Sequence, residues 1–204
     1  MESSAVINEI SRALNVEIEA LIKMRESLNV AQIKFTVQAI NNCKGKIILS
    51  GCGTSAMAAR KIAHSLCCID IPAVYISPSD AVHGGLGVVQ AEDVVIMISK
   101  GGNTKELLNM IPACKIVNSF LIGVTENPES ELSLQSDIQL IIRVPQEACK
   151  FNMLATSSTL AVISVFDAIC IALMELRGFT KKRFAVIHPN GAVGERLNAE
   201  QPIV

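Results

Sequence analysis

The stretch Asp93-Val94-Val95-Ile96-Met97-Ile98-Ser99-Lys100-Gly101-Gly102-Asn103-Thr104-Lys105-Glu106 decides the fold. An apolar run leads into a glycine-rich turn, after which Leu107, Leu108, Met110 and Ile111 recur at helical spacing. That order is a buried strand, a turn and the opening of a helix. Backbone N–H groups at such a turn have no partner within the helix, and the helix dipole favours negative charge, so a phosphate fits there. Ser99, Asn103 and Thr104 add side-chain donors, and Glu106, one turn in, is within reach of whatever carries the phosphate. The plainer alternative is an ordinary helix start, with Thr104 as cap and Glu106 complementing the dipole.

The same alternation runs along the chain. Ile7, Ile10, Leu14, Ile18, Leu21 and Met24 predict a long amphipathic helix from Ser4 to about Asn29, with a narrow stripe suited to another subunit. Ile33, Val37 and Ile40 predict a second helix over 30–42. Strands are expected at 46–50, 73–76, 93–98, 119–124 and 138–144. Helices are expected at 56–66, from the second glycine turn to about 116, and at 129–134, with a short helical piece beside His83-Gly84. A long buried helix starts at Thr156-Ser157-Ser158-Thr159 and ends at Leu176, where Gly178 terminates it. Thr180 caps a last short helix that stops at His188-Pro189. Five apolar strands alternating with helices mean a parallel sheet covered on both faces, an α/β three-layer sandwich. The chain reads as one domain over 1–204, with N-terminal helices over 1–44 and the sheet core and active-site segments over 45–198.

Composition narrows the function classes. Half of the 204 residues are apolar and 18% are charged. The mean hydropathy of +0.42 points to a subunit interface. A net charge of −1, one Tyr, six Phe and no Trp leave neither a field nor a stacking surface for nucleic acid. Seven cysteines without a C-x-x-C pair argue for a reducing cytoplasm, with buried thiols rather than disulfides or zinc. The N-terminus, with Glu2 and Glu9, is no signal peptide, and the apolar run 160–173 is interrupted by Asp167, so no membrane is expected.

Gly51-x-Gly53-x-x-Ala56 after the first strand fits the dinucleotide fingerprint, but Ser77 stands where an acidic residue would hold a ribose. Two hydroxyl-rich turns, at Thr54-Ser55 and Ser99 to Thr104, lie beyond the carboxyl ends of the strands and suit a sugar phosphate better.

Ser99-x-Gly101-Gly102-x-Thr104-x-Glu106, preceded by Gly51-x-Gly53-x-Ser55, resembles the sugar isomerase (SIS) domain, with its flavodoxin-like sheet. His83-Gly84-x-Leu86-Gly87, Glu147-Ala148-Cys149, Thr156 to Thr159 and His188-Pro189-x-Gly191-Ala192 extend the resemblance over residues 30–198 to the isomerase domain of arabinose 5-phosphate isomerases. That likeness implies a cytoplasmic homotetramer that interconverts D-ribulose 5-phosphate and D-arabinose 5-phosphate for Kdo and lipopolysaccharide biosynthesis, without a cofactor. It implies catalytic Glu106, Glu147 and His188, and substrate contacts from His83, Thr54, Ser55, Ser99, Asn103 and Thr104. Thr54 occupies the family's catalytic lysine position; Lys100 either supplies the missing cation or faces solvent. Ser77 replaces a histidine tied to metal inhibition, so no metal site is expected, and no CBS modules follow before Val204.

Aldose–ketose isomerisation through an enediolate needs a carbon base and an oxygen acid–base group. Glu106 is expected as the carbon base in a dry site beside its strand, and His188 in ring opening or oxygen proton transfer. Glu147 either orients His188 or is the second acid–base group, and one or both of these reach the site from a neighbouring subunit. The alternatives are an isomerase of a hexulose phosphate and a sugar-phosphate-binding protein without turnover.

Overall fold

The computed structural model describes residues 3–200. Strands β1 (Ile47–Gly51), β2 (Ala73–Tyr75), β3 (Val94–Ile98), β4 (Phe120–Thr125) and β5 (Ile138–Ile141) form one sheet in the order β2-β1-β3-β4-β5. Every pair is parallel; Ile47 sits beside Val94 and Gly51 beside Ile98. Both central strands, β1 and β3, are buried along their whole length because helices cover both faces. Alternate side chains divide between two cores. Ile47, Leu49, Val94, Ile96 and Ile98 join Ile62, Leu66, Phe166 and Leu173 on one face; Ile48, Val95 and Met97 join Leu107, Met110, Ile111 and Leu132 on the other.

Helices α1 (Ser3–Ser27), α2 (Val30–Asn42), α3 (Gly53–Cys68) and α8 (Ser157–Leu176) cover the first face. Asn29 caps α2 by accepting from the Ala31 and Gln32 N–H groups. Along α1 the expected stripe is divided: Met24 is buried at 5%, while Ile7, Ile10, Leu14 and Ile18 remain more than half exposed at 58, 52, 54 and 57%. Five shorter helices complete the order: α4 (Pro78–Ala81), α5 (Lys105–Leu108), α6 (Ile111–Val117), α7 (Glu131–Gln135) and α9 (Lys181–Ile187). The last helix, α10 (Gly191–Glu200), was not anticipated from the sequence.

The single helix expected after the second glycine turn is two helices. Pro112 has no N–H to offer Leu108 and sits near the start of α6, so the chain breaks at Asn109-Met110. Strand β5 ends at Ile141 instead of Val144, because Arg143 turns away to donate from Nε to the Glu126 carbonyl at 2.6 Å. Of the seven cysteines, all free, only Cys114 and Cys170 are buried, fewer than expected.

By length and composition α8 could cross a membrane. It packs instead on the core through Ala161, Val165, Phe166, Ile169 and Leu173, and its Asp167 pairs with Lys61 of α3. Gly178 ends it at φ +57°, with Gly178 N–H donating to the Glu175 carbonyl and Phe179 N–H to that of Met174, a Schellman closure.

Candidate active site

The chain leaves β1 towards β2 on one side and returns to β3 on the other, so the crevice at the carboxyl ends of β1 and β3 is the topological switch point of the sheet. Both glycine turns open there. After β1, the chain turns at Gly53 with φ +56°, and Thr54 and Ser55 enter α3. After β3, Gly102 takes φ +73°, and a Cβ on it would lie 2.0 Å from Ser130 Oγ, so only glycine fits.

This second turn is fastened on every side. Ser99 Oγ accepts from Gly102 N–H at 3.1 Å and shares a 2.8 Å hydrogen bond with Thr104 Oγ1. Asn103 Oδ1 accepts from Glu131 N–H at 2.9 Å, and Lys100 O accepts from Thr125 Oγ1 at 2.8 Å and from Glu126 N–H at 3.0 Å. Thr104 therefore precedes α5 without capping it through its side chain, and Asn103 is engaged with α7. Among the described residues, no protein acceptor takes the N–H groups of Asn103, Thr104, Lys105 or Glu106. Unpaired backbone N–H groups at a helix start suit an anion, and these four are the candidate anion cradle of the site.

Glu106, in the first turn of α5, is exposed, so this chain alone does not build the dry surroundings expected for it. Its charge is felt across the crevice: burial first, and Glu106 second, push the Cys52 thiol up. His83 is exposed in the turn between α4 and a 3-10 helix at Gly85–Val88, beyond β2. Ser77 accepts from Asp80 N–H at 3.4 Å as the cap of α4.

Glu147 comes from the loop between β5 and α8 and lies in the same chain's site, with its side chain wholly buried. Oε1 accepts from Lys100 Nζ at 2.6 Å and Ser158 Oγ at 2.5 Å; Oε2 accepts from Thr156 N–H at 2.9 Å, Ser158 N–H at 3.2 Å and Thr156 Oγ1 at 3.3 Å. Burial raises its pKa, but Lys100, Ser158 and the backbone donors outweigh burial and bring it down to about 2. An anion with every lone pair engaged caps α8 and holds Lys100; in this geometry it is poorly suited to carry protons. Thr156, at the N-cap position of α8, makes no side-chain capping bond; its Oγ1 accepts from Ala148 N–H at 2.9 Å. Lys100 is neither free nor simply solvent-facing, since its ammonium spans the site mouth to Glu147.

Thr54, Ser55, Lys100, Thr125, Glu126 and Ser158 line a cavity of about 60 Å³ at this place. Glu126 was not singled out in the sequence, and Ser158 only as part of the run Thr156 to Thr159. The available signal for Glu126 was its position just past β4, at the carboxyl edge where such sheets bind ligands.

His188 stands apart. Helix α8 starts at the site and its 20 residues carry the chain about 30 Å away. There Arg183 of α9 forks onto Asp70, at 2.6 and 2.8 Å, just before β2 at the amino ends of the strands. His188 follows α9, stacked on Phe184 with ring centroids 4.2 Å apart, and its Nδ1 lies 3.2 Å from the Phe184 carbonyl. A carbonyl only accepts, so Nδ1 is the donor in this contact and Nε2 is the ring nitrogen it leaves for other partners. Within one chain His188 and Glu106 do not meet.

Fold and site define an open α/β protein with an anion cradle and a charged cavity at its switch point. Residues 39–172 match the SIS domain family, to which the chain belongs. An arabinose 5-phosphate isomerase of Yersinia pestis is 38% identical over 186 residues, 91% of this chain and 56% of the relative. The chain thus spans about half the length of the curated relatives it matches. A solved structure from Listeria monocytogenes, described as a candidate sugar-phosphate isomerase, is 50% identical with a TM-score of 0.92, covering 93% of this chain and 100% of that one. Another, from E. coli CFT073 in complex with A5P, is 32% identical with a TM-score of 0.89, covering 93% and 100%.

Proposed function

We propose that this protein is a sugar-phosphate isomerase that interconverts D-ribulose 5-phosphate and D-arabinose 5-phosphate through an enediolate, supplying the aldose for Kdo biosynthesis in the cytoplasm. The observation that carries this reading is the likeness, over 93% of this chain, to the E. coli CFT073 protein solved in complex with A5P. The anion cradle after β3 takes the phosphate, with Ser55, Ser99, Asn103 and Thr104 around it; Thr54 and His83 face the sugar. Binding energy from the phosphate then positions the reacting carbons.

Glu106 is the base that moves a proton between C1 and C2. His188 of a second copy opens the sugar ring through Nε2, since Nδ1 is engaged with the Phe184 carbonyl. Homotetramer assembly supplies that copy, and the exposed apolar stripe of α1 is a surface suited to it. Glu147 orients Lys100 and the start of α8.

Thr54 in place of a lysine favours a second reading within the class, an isomerase of another sugar phosphate such as a hexulose phosphate. The purified protein offered D-ribulose 5-phosphate and hexulose 6-phosphates in parallel separates the two. Fastest aldose formation from the pentulose, lost in Glu106→Gln while phosphate binding persists, is the expected result. A preference for the hexuloses would replace the substrate, and wild-type rates in Glu106→Gln would remove that residue as base.

A further inference from the structure

We propose that Glu126 is a catalytic acid of this site, donating its carboxyl proton to the substrate carbonyl oxygen as the carbon base acts; this rests on the isomerase function proposed above. The geometry singles it out. Its main chain is clamped at both ends, since Glu126 N–H donates to Lys100 O at 3.0 Å and Glu126 O accepts from Arg143 Nε at 2.6 Å. Glu126 lines the cavity together with Thr54, Ser55, Lys100 and Ser158. One carboxyl oxygen, Oε1, is buried with no hydrogen-bond partner among the described residues.

A buried carboxyl oxygen without a partner is costly, and folded chains rarely keep one without a use for it. Its neighbours explain why the ordinary remedy, an ion pair, is not taken. Lys100 is the cation whose charge acts most on this carboxyl group, and its ammonium is held by Glu147 at 2.6 Å. Two carboxyl groups therefore face one ammonium, and Glu147 has the hydrogen bonds that fix the charge. Burial pushes Glu126 up; Lys100, the Val144 N–H and Arg143 oppose that, and the Glu147 charge adds to it. The proton is retained most readily on Glu126, where a neutral O–H can point at a ligand oxygen.

The step balances without any co-reactant. The base removes a proton from C1 of the ketose; that C–H pair becomes the C1–C2 double bond, and the carbonyl pair moves onto O2 and takes the Glu126 proton. In the second half the base returns its proton to C2, the O1–H proton passes to the Glu126 carboxylate, and the aldehyde forms at C1. Lys100 faces the transient carboxylate, which limits its cost.

Turnover of D-arabinose 5-phosphate by wild-type protein is measured first, then by Glu126→Gln, which keeps shape but has no transferable proton. Wild-type turnover, with kcat of the variant down on the order of 10²-fold and KM within about threefold, is expected. Should Glu126→Gln fail to fold, Glu126→Asp takes its place, expected to lose less than tenfold in kcat because the acid is retained but set back. An active wild type with kcat unchanged in the variant, or with the whole loss in KM, would overturn the role of Glu126 and leave the isomerase function standing. A wild type inert on D-arabinose 5-phosphate and on D-ribulose 5-phosphate would take both away.

Discussion

Two carboxylates flank one lysine at the carboxyl edge of this sheet, and their surroundings drive them apart. Glu147, past β5, collects five hydrogen bonds and titrates at about 2. Glu126, past β4, leaves one buried oxygen without a partner among the described residues and is pushed up. Burial disfavours the charge of both, so it is the count of donors that decides the sign. A helix start with unpaired N–H groups supplies those donors to Glu147; the loop after β4 spends its polar atoms on holding the second glycine turn. One acid becomes a fixed anion of the frame, the other is left able to exchange a proton.

That contrast can be broken from either side. The largest effect is expected from Glu147→Ala, which strips the start of α8 of its cap and leaves Lys100 facing a cavity without its partner. Loss of the cap and of the hydrogen bonds to two buried backbone donors costs about 2–3 kcal/mol, read as a drop in the urea midpoint. An effect below about 1 kcal/mol would mean that water replaces the carboxylate easily.

Lys100→Met removes the only charged donor to Glu147 and keeps the four others. Because the ammonium is half exposed, the loss at neutral pH is about 1 kcal/mol. The pH dependence is the sharper readout. A depressed carboxylate gives stability that is present above its ordinary 4.5 and lost as pH falls towards about 2. In Lys100→Met the native pKa rises, so the acid loss begins at higher pH and ends sooner; an unchanged acid limb would show that hydrogen bonds alone hold Glu147 down.

The smallest change is expected from Glu126→Gln, in the opposite direction. A group with a raised native pKa costs stability once pH exceeds its unfolded value, so the neutral isostere stabilises by up to about 1 kcal/mol at neutral pH and by nothing in acid. Destabilisation at neutral pH would mean that Glu126 is a well-paired anion.

Much of this fold was legible because its signals are local. Continuous short runs such as 94–98, each followed by a turn, fit a doubly covered parallel sheet, and Gly53, Gly102 and Gly178 mark the turns at which a side chain would be strained. Pro112, which splits the helix after the second turn, was as visible as they were, since proline cannot donate to Leu108. Glu106 and the hydroxyls of Ser99 and Thr104 stood out through their distance from a strand end. The role of Glu147 was not readable, because its main partner Lys100 lies 47 positions away and comes to it only when β3 and β5 share a sheet. Glu126 looked like one more polar residue in the turn Thr125-Glu126-Asn127-Pro128, for the same reason. His188 could be recognised by motif but not placed, since nothing local says that α8 carries it away from its own site.

The most direct test of the central claim is hydrogen exchange at C2 of D-arabinose 5-phosphate in heavy water, followed by NMR with the purified protein. Loss of the C2 proton signal together with appearance of D-ribulose 5-phosphate is expected, since an enediolate must exchange with its base. A protein that binds the sugar phosphate while its C2 proton persists and no ketose appears would contradict isomerase chemistry and leave a binding protein with this fold.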